Sequence, residues 1–408
     1  MDDSIKIAGL ALGMIFLGLG TGGIRATMTP FIGDQYAVTS PQLVTTDRGE
    51  RKIVDRDLTL QYIYNVLYWF TNIASMSLIA STYLEKHVGF WAAYLLPLCS
   101  FWASMFLMLL CQRSFVYLLP QGNILPKATK VIVCSVQDKF RLDAAKPAFQ
   151  AEKYGKIVGW DDRFVFEMKV GLVACKVMAC FIPFYLCMSQ MTNNLVSQAG
   201  QMRLGGIPND TVQALNPIAC VLLGPIIQKL LYPTLQKYGI PFKPIARMTS
   251  AFVLMGAAMA VAAGLQWAIY TKGPCYRLPL ACPGADDGRI SNDISVWTQT
   301  PIYSLLAFAE ILGYTTLSEY SYSKAPTEMR SLVQALRQVS AAIGSALGMA
   351  VSPLSVDPKI TYLYSGLASM MIVSAPIFWL VFKAHDRPDE QPDELETQPP
   401  LDEEQAEK

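Results

Sequence analysis

The sequence predicts an all-α, polytopic membrane protein with about nine transmembrane helices. Of the 408 residues, 52% are hydrophobic and only 16% are charged, and the mean hydropathy is +0.30. Soluble domains usually carry about a quarter charged residues. Apolar runs long enough to cross a bilayer as helices occur at approximately residues 7–28, 62–82, 92–112, 168–190, 214–235, 245–271, 297–319, 332–352 and 361–383.

Loop charge predicts the orientation of these spans. The loops near residues 30–60, 113–167, 236–244 and 320–331 hold most of the loop Lys and Arg, whereas the alternating loops hold few. The positive-inside rule therefore places the first set and the C-terminus in the cytoplasm. We separately expect the plasma membrane as the location. Nine spans then put Met1 outside with no separate cleavable signal before it, so we expect that earlier spans are missing from this sequence.

The first three spans, within residues 1–112, are expected to form a partial N-terminal bundle. Glycines recur in the first span at the four-residue spacing that lets helices approach closely, as Gly9 and Gly13 and again as Gly18 and Gly22. This spacing predicts a tightly packed helix.

Polar residues in the same bundle are candidate site residues. Arg25 lies near the inner end of the first span, where position alone favours a side chain that snorkels to the interface. Asn72, on the second span with Tyr68, is too polar to face lipid and should hydrogen-bond to a neighbouring helix or to a ligand.

Residues 113–163 predict a cytoplasmic linker with an amphipathic helix, followed by a C-terminal six-helix bundle over residues 164–385. Lys176 lies deep enough in this bundle to need a partner or water. In the next span, the proline of Asn216-Pro217 either bends the helix toward a cavity or is an ordinary tolerated kink.

Glu310 is the strongest candidate site residue in the sequence. A carboxylate at that depth costs about 2.5 to 3.5 kcal/mol, so it should face protein or water rather than lipid. Helical spacing aligns Tyr303, Ala307, Glu310 and Tyr314 in one stripe, which predicts the wall of a wet cavity. The alternative is a structural carboxylate paired with another helix, for example with Lys176.

The remaining segments suggest a disulfide and a tail. Cys275 and Cys282 share one short Pro- and Gly-rich loop, so they should pair if that loop is extracytoplasmic. Residues 386–408 are acidic with no aromatic residue and predict a disordered cytoplasmic tail.

Several function classes are excluded by the same residues. Charges lie in loops and tail rather than on one basic face, which argues against nucleic-acid binding. The nine cysteines form no CxxC pair, and no histidine cluster accompanies them, so neither a metal nor a cofactor is expected. The predicted spans contain no nucleophilic side chain accompanied by a general base, which argues against an enzyme.

Separated motifs resemble the proton-dependent oligopeptide transporter family (POT, also called PTR), and more closely its fungal members. GTGGIRATMTPFIGDQY at 20–36 resembles the signature at the end of the fourth span of that family. Matches in the same order continue with YWFTNIASMSLIASTYLEKHVGFWAAYLLP at 68–97, QMTNNLVSQAGQM at 190–202, ALNPI at 214–218 and EILGYTTLSEYSYSKAPTEMRSLVQAL at 310–336. The resemblance implies a major facilitator-type helical bundle in which this chain corresponds to spans four to twelve.

The resemblance also implies a function, which is proton-coupled symport of di- and tripeptides by alternating access, and assigns residues to it. Glu310 would bind the peptide amine and Arg25 would lie near the carboxylate end, both taking part in proton coupling. Asn72, Asn216, Tyr68, Tyr303 and Tyr314 would complete the substrate site. Two residues depart from the family pattern: Arg25 replaces the usual Lys, and Gln228 stands where many relatives have Asp.

Three alternatives remain open at this point. The chain could fail to transport, because its N-terminal bundle has three helices where the family fold uses six. It could be a non-transporting membrane sensor or a remnant, or it could carry another small solute such as nitrate, although Glu310 would repel an anion. We expect a monomer whose partners are peptides, protons and the bilayer.

Overall fold

The computed structural model describes residues 3–36, 42–45, 51–54, 56–117, 125–138, 141–239, 242–286, 288–324 and 330–383. The predicted tail, 386–408, lies outside the described residues. The elements are α1 (Asp3–Asp34), β1 (Gln42–Thr45), β2 (Arg51–Val54), α2 (Arg56–Ser75), α3 (Ser77–His87), α4 (Phe90–Cys111), α5 (Leu125–Gln137), α6 (Pro147–Tyr154), α7 (Asp162–Cys180), α8 (Ile182–Thr192), α9 (Asn194–Gly200), β3 (Met202–Arg203), α10 (Leu215–Ile226), α11 (Tyr232–Lys237), α12 (Pro244–Thr271), β4 (Asn292–Ser295), α13 (Thr300–Glu310), α14 (Thr316–Lys324), α15 (Arg330–Ala350) and α16 (Ile360–Phe382).

The described chain is a helical bundle, and each predicted span falls on helix. Within the described residues, five stretches are long and apolar enough to cross a membrane, and the bent pair α7 and α8–α9 makes a sixth at an angle of 42°. The other three predicted spans, at 62–82, 297–319 and 332–352, are helical but are more polar or broken. These three carry side chains of the cavity described below, which explains why their composition departs from that of a lipid-facing helix.

The two short strand pairs lie in segments that the sequence predicts as loops. β1 and β2 pair antiparallel between α1 and α2, and β3 and β4 pair in parallel beside the loop that carries the disulfide. Cys275 and Cys282 are bonded, as the sequence predicts. We call the end of the molecule with this loop, residues 272–296, the disulfide side, and the end with residues 125–160 the linker side.

The second bundle contains a continuous hydrophobic core. Phe181, at the bend between α7 and α8, is fully buried, and its ring lies 5.0 Å from that of Phe252 on α12. The ring of Phe252 in turn lies 5.0 Å from that of Phe378 on α16. Such aromatic packing joins three helices around one centre and stabilises the bundle beyond the area buried.

The linker forms a smaller core of its own on the second bundle. Val131 of the amphipathic α5 is fully buried and belongs to a cluster with Val165 and Met168 of α7. Trp160 donates its indole N–H to the carbonyl of Ala145 at 2.8 Å, which closes the linker chain against this cluster. The apolar face of α5 therefore packs on α7.

Close helix approach occurs at glycines other than those predicted. A Cβ atom at Gly9, Gly13, Gly18 or Gly22 would have no described heavy atom within 4 Å, so the prediction that these residues pack tightly is wrong for the described structure. The close approach is instead between α15 and α8, where a Cβ at Gly344 would lie 2.9 Å from the carbonyl oxygen of Ile182. Four-residue spacing alone cannot say which glycine has a helix beside it.

A directional series of buried amides, which we call the amide chain, fixes the disulfide side of the second bundle. Gln299 donates to Gln198 at 2.9 Å, and Gln198 donates to Gln266 at 2.8 Å. Gln266 then donates to Gln201 at 2.8 Å, and Gln201 donates to the carboxylate of Asp357 at 2.9 Å. Because every amide donates in the same direction, each bond polarises the next toward the negative charge.

We predict that Gly344→Ala destabilises the protein, because the new methyl group would meet backbone atoms of α8 that cannot move independently. Overpacking of this kind costs about 1–3 kcal/mol. The matched control is Gly366→Ala on α16, which has open space at its Cβ position and should gain about 0.5–1 kcal/mol from helix propensity. Thermal melting of both purified variants checks this, and equal melting temperatures would contradict it.

We predict that Asp357→Asn weakens the pH dependence of stability. Burial raises the pKa of Asp357, outweighing the opposite effect of the hydrogen bonds from Tyr270 and Gln201. A carboxyl whose pKa is higher in the folded state favours folding at low pH, and this contribution is lost as pH rises from about 4, the ordinary Asp value, through the raised pKa. Melting temperatures between acidic and neutral pH should change less in the variant, and parallel profiles would contradict the assignment.

Candidate functional site

A cavity of about 400 Å³ lies between the two helix groups. One wall consists of α1 and α2, from the N-terminal segment, and the other consists of α8, α13–α15 and the turn between α13 and α14. Glu310 lies on the second wall, half-buried, at the end of α13. The carboxylate therefore faces a cavity shared by both groups, as its depth in the sequence predicts.

Glu310 is held in place by α10. Asn216 donates its side-chain N–H to the carboxylate at 2.8 Å, and the thiol of Cys220, one turn further along, lies 3.9 Å from the same oxygen. Asn216 is buried, and its own amide oxygen has no hydrogen-bond partner among the described groups. Since a neutral amide holds the carboxylate, its negative charge is positioned but not neutralised.

Tyr68 connects this arrangement to the first helix group. Its hydroxyl lies 3.4 Å from the thiol of Cys220, and its backbone carbonyl accepts the side-chain N–H of Asn72 at 3.0 Å. Trp69, the next residue, donates its indole N–H to the carbonyl of Val221 on α10 at 3.1 Å. α2 thus touches α10 directly beside the carboxylate.

The cavity contains two guanidinium groups, one on each wall. Arg25 of α1 is exposed, and Arg337 of α15 is half-buried. Among the described residues, neither forms an ion pair within 4.0 Å. Both line the same cavity as Tyr314, so the two positive charges face one space.

The charge of a second carboxylate on the cavity wall, Glu319, is balanced by an arginine that lies outside the cavity. Arg247 of α12 lies 3.8 Å from it and also places its guanidinium 4.4 Å from the ring centre of Tyr232. Arg247 does not line the cavity. The charge on Glu319 is therefore balanced within the second bundle, unlike the charge on Glu310.

Contacts between the two helix groups occur on both sides of the cavity. On the disulfide side, the hydroxyls of Thr82 and Thr211 are 2.8 Å apart, and Lys86 donates to the carbonyl of Gly206 at 2.6 Å. On the linker side, the rings of Tyr64 and Tyr322 pack edge to face at 5.3 Å. Gly33 allows α1 to approach there, because a Cβ at this residue would lie 2.8 Å from the hydroxyl of Tyr322.

The structure brings together most of the residues singled out in the sequence. Arg25, Tyr68, Glu310 and Tyr314 line the cavity, while Asn216 and Asn72 support Glu310 and Tyr68 from outside its surface. Lys176 is exposed on α7, and among the described residues it forms no ion pair with Glu310. Gln228 is exposed between α10 and α11.

The prediction that Tyr303 and Ala307 line the cavity together with Glu310 is wrong. Tyr303 and Ala307 are 0% exposed and belong to the core of the second bundle instead of lining the cavity. They lie toward the disulfide side, where α13 is packed between α10 and α12. In addition, the helix widens into a π-helical turn at Ile311–Thr315, so regular α-helical spacing no longer describes the face on which Tyr314 lies.

Sequence reasoning missed Arg337 and Glu319 as cavity residues and Cys220 as a contact of Glu310. Arg337 falls inside the predicted span 332–352, so the rule that flagged Glu310 as an intramembrane charge would also have flagged Arg337. Glu319 stands at the last position of another predicted span and gave a weaker signal. Cys220 gave none, because a thiol in an apolar run normally behaves as a small hydrophobe.

The comparisons with known proteins identify one family. A family model described as PTR2, POT family, matches residues 1–371 of the chain. The peptide transporter imqD of Aspergillus flavus is 53% identical over 274 residues, which cover 67% of this chain and 68% of that protein. The probable peptide transporter ptr2 of Schizosaccharomyces pombe is 38% identical over 399 residues, covering 97% of this chain and 63% of that protein.

A similar match is found to the peptide transporter PTR2 of Saccharomyces cerevisiae, which is 37% identical over 385 residues, covering 94% of this chain and 62% of that protein. The chain therefore spans about two thirds of the length of the curated relatives that it matches.

Solved structures share the fold. The crystal structure of an auto-inhibited POT family peptide transporter superposes with a TM-score of 0.66 at 19% identity, covering 94% of this chain and 79% of that one. That of the POT family transporter PepTSo superposes with a TM-score of 0.67 at 18% identity, covering 93% and 79%.

Proposed function

The chain belongs to the POT family, and we propose that it carries di- and tripeptides across the membrane together with protons, by alternating access. It is a multi-pass membrane protein whose relatives are named as transporters, so it is not an enzyme. The observation that carries the proposal is the carboxylate of Glu310, held at the cavity wall by Asn216 at 2.8 Å.

The proposed substrate site uses the two charged ends of a peptide. The α-amine would bind Glu310, whose charge is held only by neutral groups, and the α-carboxylate would bind Arg25 on the opposite wall. Recognition of the two termini leaves the peptide side chains unspecified, which suits a cavity of about 400 Å³. Tyr68 and Tyr314 would contact the peptide between these ends.

Asn216 and Asn72 would act as positioning residues, by orienting Glu310 and Tyr68. For Tyr303 we propose no direct contact with the peptide, since its side chain is fully buried in the core of the second bundle.

The same carboxylate can link transport to protons. Ionised Glu310 attracts a cationic amine, whereas protonated Glu310 does not, so binding of the amine and binding of a proton compete for one group. Arg25, on the opposite wall, would affect this competition through its positive charge. The competition would tie the charge state of Glu310 to occupancy of the cavity, whereas a proton that moves together with the peptide would have to be carried by a second group.

Alternating access would break the contacts on one side of the cavity at a time. The hydrogen bond between Thr82 and Thr211 joins the two helix groups on the disulfide side, and the ring contact between Tyr64 and Tyr322 joins them on the linker side. Rocking of one group against the other around Glu310 would expose the cavity to each side in turn. We further propose a plasma-membrane location, a cytoplasmic C-terminus and a monomer.

We predict that Glu310→Gln reduces dipeptide binding and acid-driven dipeptide uptake at least about tenfold. Gln can still accept the hydrogen bond from Asn216, so only the charge that holds the amine is lost, and charge-assisted hydrogen bonds contribute about 1.5–3 kcal/mol. The measurements are uptake of labelled Ala-Ala by cells that lack their own peptide transporters and binding by the purified protein in lipid nanodiscs.

The control for this experiment is Glu85→Gln, which removes a carboxylate on α3 outside the cavity and should leave both values unchanged. If the Glu310→Gln protein binds Ala-Ala with the affinity of the native protein, Glu310 does not hold the amine.

A further inference from the structure

The proposed function leaves one cavity cation without a role, which is Arg337. If Glu310 holds the α-amine and Arg25 the α-carboxylate, no group of a simple dipeptide is left for a second guanidinium. We propose that Arg337, with Tyr185 and Ser318, forms a binding site for a second carboxylate, that of an acidic side chain on the transported peptide. This inference rests on the proposed function and specifies the class of peptide that the cavity favours.

Neutral groups hold the guanidinium of Arg337 by hydrogen bonds, and it forms no ion pair among the described residues. Its Nε donates to the side-chain oxygen of Gln334 at 3.0 Å, and Nη1 donates to the hydroxyl of Ser318 at 3.1 Å. Both acceptors are neutral, so they fix the orientation of the guanidinium without cancelling its charge. A guanidinium has five N–H donors, so at least two remain for a ligand after these two bonds and the contact with the Tyr185 hydroxyl.

Two hydroxyls next to this guanidinium can also donate to an anion. Tyr185 lines the cavity, and its buried hydroxyl lies beside the guanidinium of Arg337 and donates to no described group. The hydroxyl of Ser318 accepts from Arg337, which leaves its own hydrogen free to donate. A buried hydroxyl whose hydrogen has no acceptor costs free energy that a bound oxygen anion would recover.

The charges around the cavity point to the same class of ligand. Glu319 is balanced by Arg247 behind it, at 3.8 Å. Glu310, Arg25 and Arg337 then remain, which is one negative charge against two positive ones. A zwitterionic dipeptide adds no net charge and leaves an excess positive charge in the cavity, whereas a peptide with one Asp or Glu side chain makes the filled cavity neutral. Because an uncompensated charge at membrane depth is costly, the acidic peptide is favoured.

The test compares Ala-Glu with Ala-Gln, which differ in one ionisable group and hardly in shape. The purified chain in lipid nanodiscs is titrated with each dipeptide at about pH 6.5, where a Glu side chain is ionised, and the dissociation constant is taken from the ligand-dependent rise in melting temperature. We expect the native protein to bind Ala-Glu at least about tenfold more tightly than Ala-Gln, as for a charge-assisted hydrogen bond.

Variants separate this role of Arg337 from a structural one. Arg337→Gln should remove the preference for Ala-Glu while leaving the affinity for Ala-Gln within about twofold of the native value. Arg337→Lys, which keeps the charge but not the planar fork, should restore part of the preference. The matched control is Arg203→Gln, which removes an exposed Arg that pairs with Asp293 outside the cavity and should change neither affinity.

A second substitution keeps the test decisive if Arg337→Gln does not fold. Tyr185→Phe removes only the hydroxyl beside Arg337 and should lower the affinity for Ala-Glu more than that for Ala-Gln. Equal affinities of the native protein for the two dipeptides would overturn the inference and leave the proposed function standing. If neither dipeptide binds, the inference and the proposed function are both overturned. An unchanged preference for Ala-Glu in Arg337→Gln would overturn the inference alone, because other groups would then hold the acidic side chain.

Discussion

The structure depends on keeping a carboxylate ionisable within the depth of a membrane. Glu310 cannot face lipid without a large cost, and a direct ion pair would neutralise it. The hydrogen bond from Asn216 at 2.8 Å avoids both outcomes, because it fixes the carboxylate and leaves its charge directed at the cavity. Three features surround that charge: the cavity, the contact of α2 with α10, and two arginines, one across the cavity from Glu310 and one on the same wall.

The second bundle supplies the rigidity that this arrangement needs. Its aromatic core joins α7–α8, α12 and α16, and the close approach at Gly344 holds α15 against α8. The amide chain adds a second fixed region on the disulfide side. The N-terminal segment contributes a wall rather than a core, because the described residues of α1 and α4 are almost entirely exposed.

Sequence patterns predicted the helices, the disulfide and the depth of Glu310, because each follows from local composition. The family resemblance added Arg25, Tyr68 and Asn216, which composition alone left ambiguous. What could not be predicted depends on neighbours in space. The burial of Tyr303, the open surroundings of Gly9 and Gly13, and the pairing of Glu319 with Arg247 are set by which helices lie alongside. Arg337 was predictable from its depth.

The π-helical turn at Ile311–Thr315 gives the helix that carries Glu310 two halves with different attachments. The half before it is anchored by Tyr303 in the core, and the half after it carries Tyr322 to the contact with Tyr64 on α2. The half after it also packs into the second bundle, because Leu317 and Tyr320 belong to the same core as Tyr303. The widened turn therefore affects which side chains share a face: one helix buries Tyr303 in the core and still presents Glu310 and Tyr314 to the cavity.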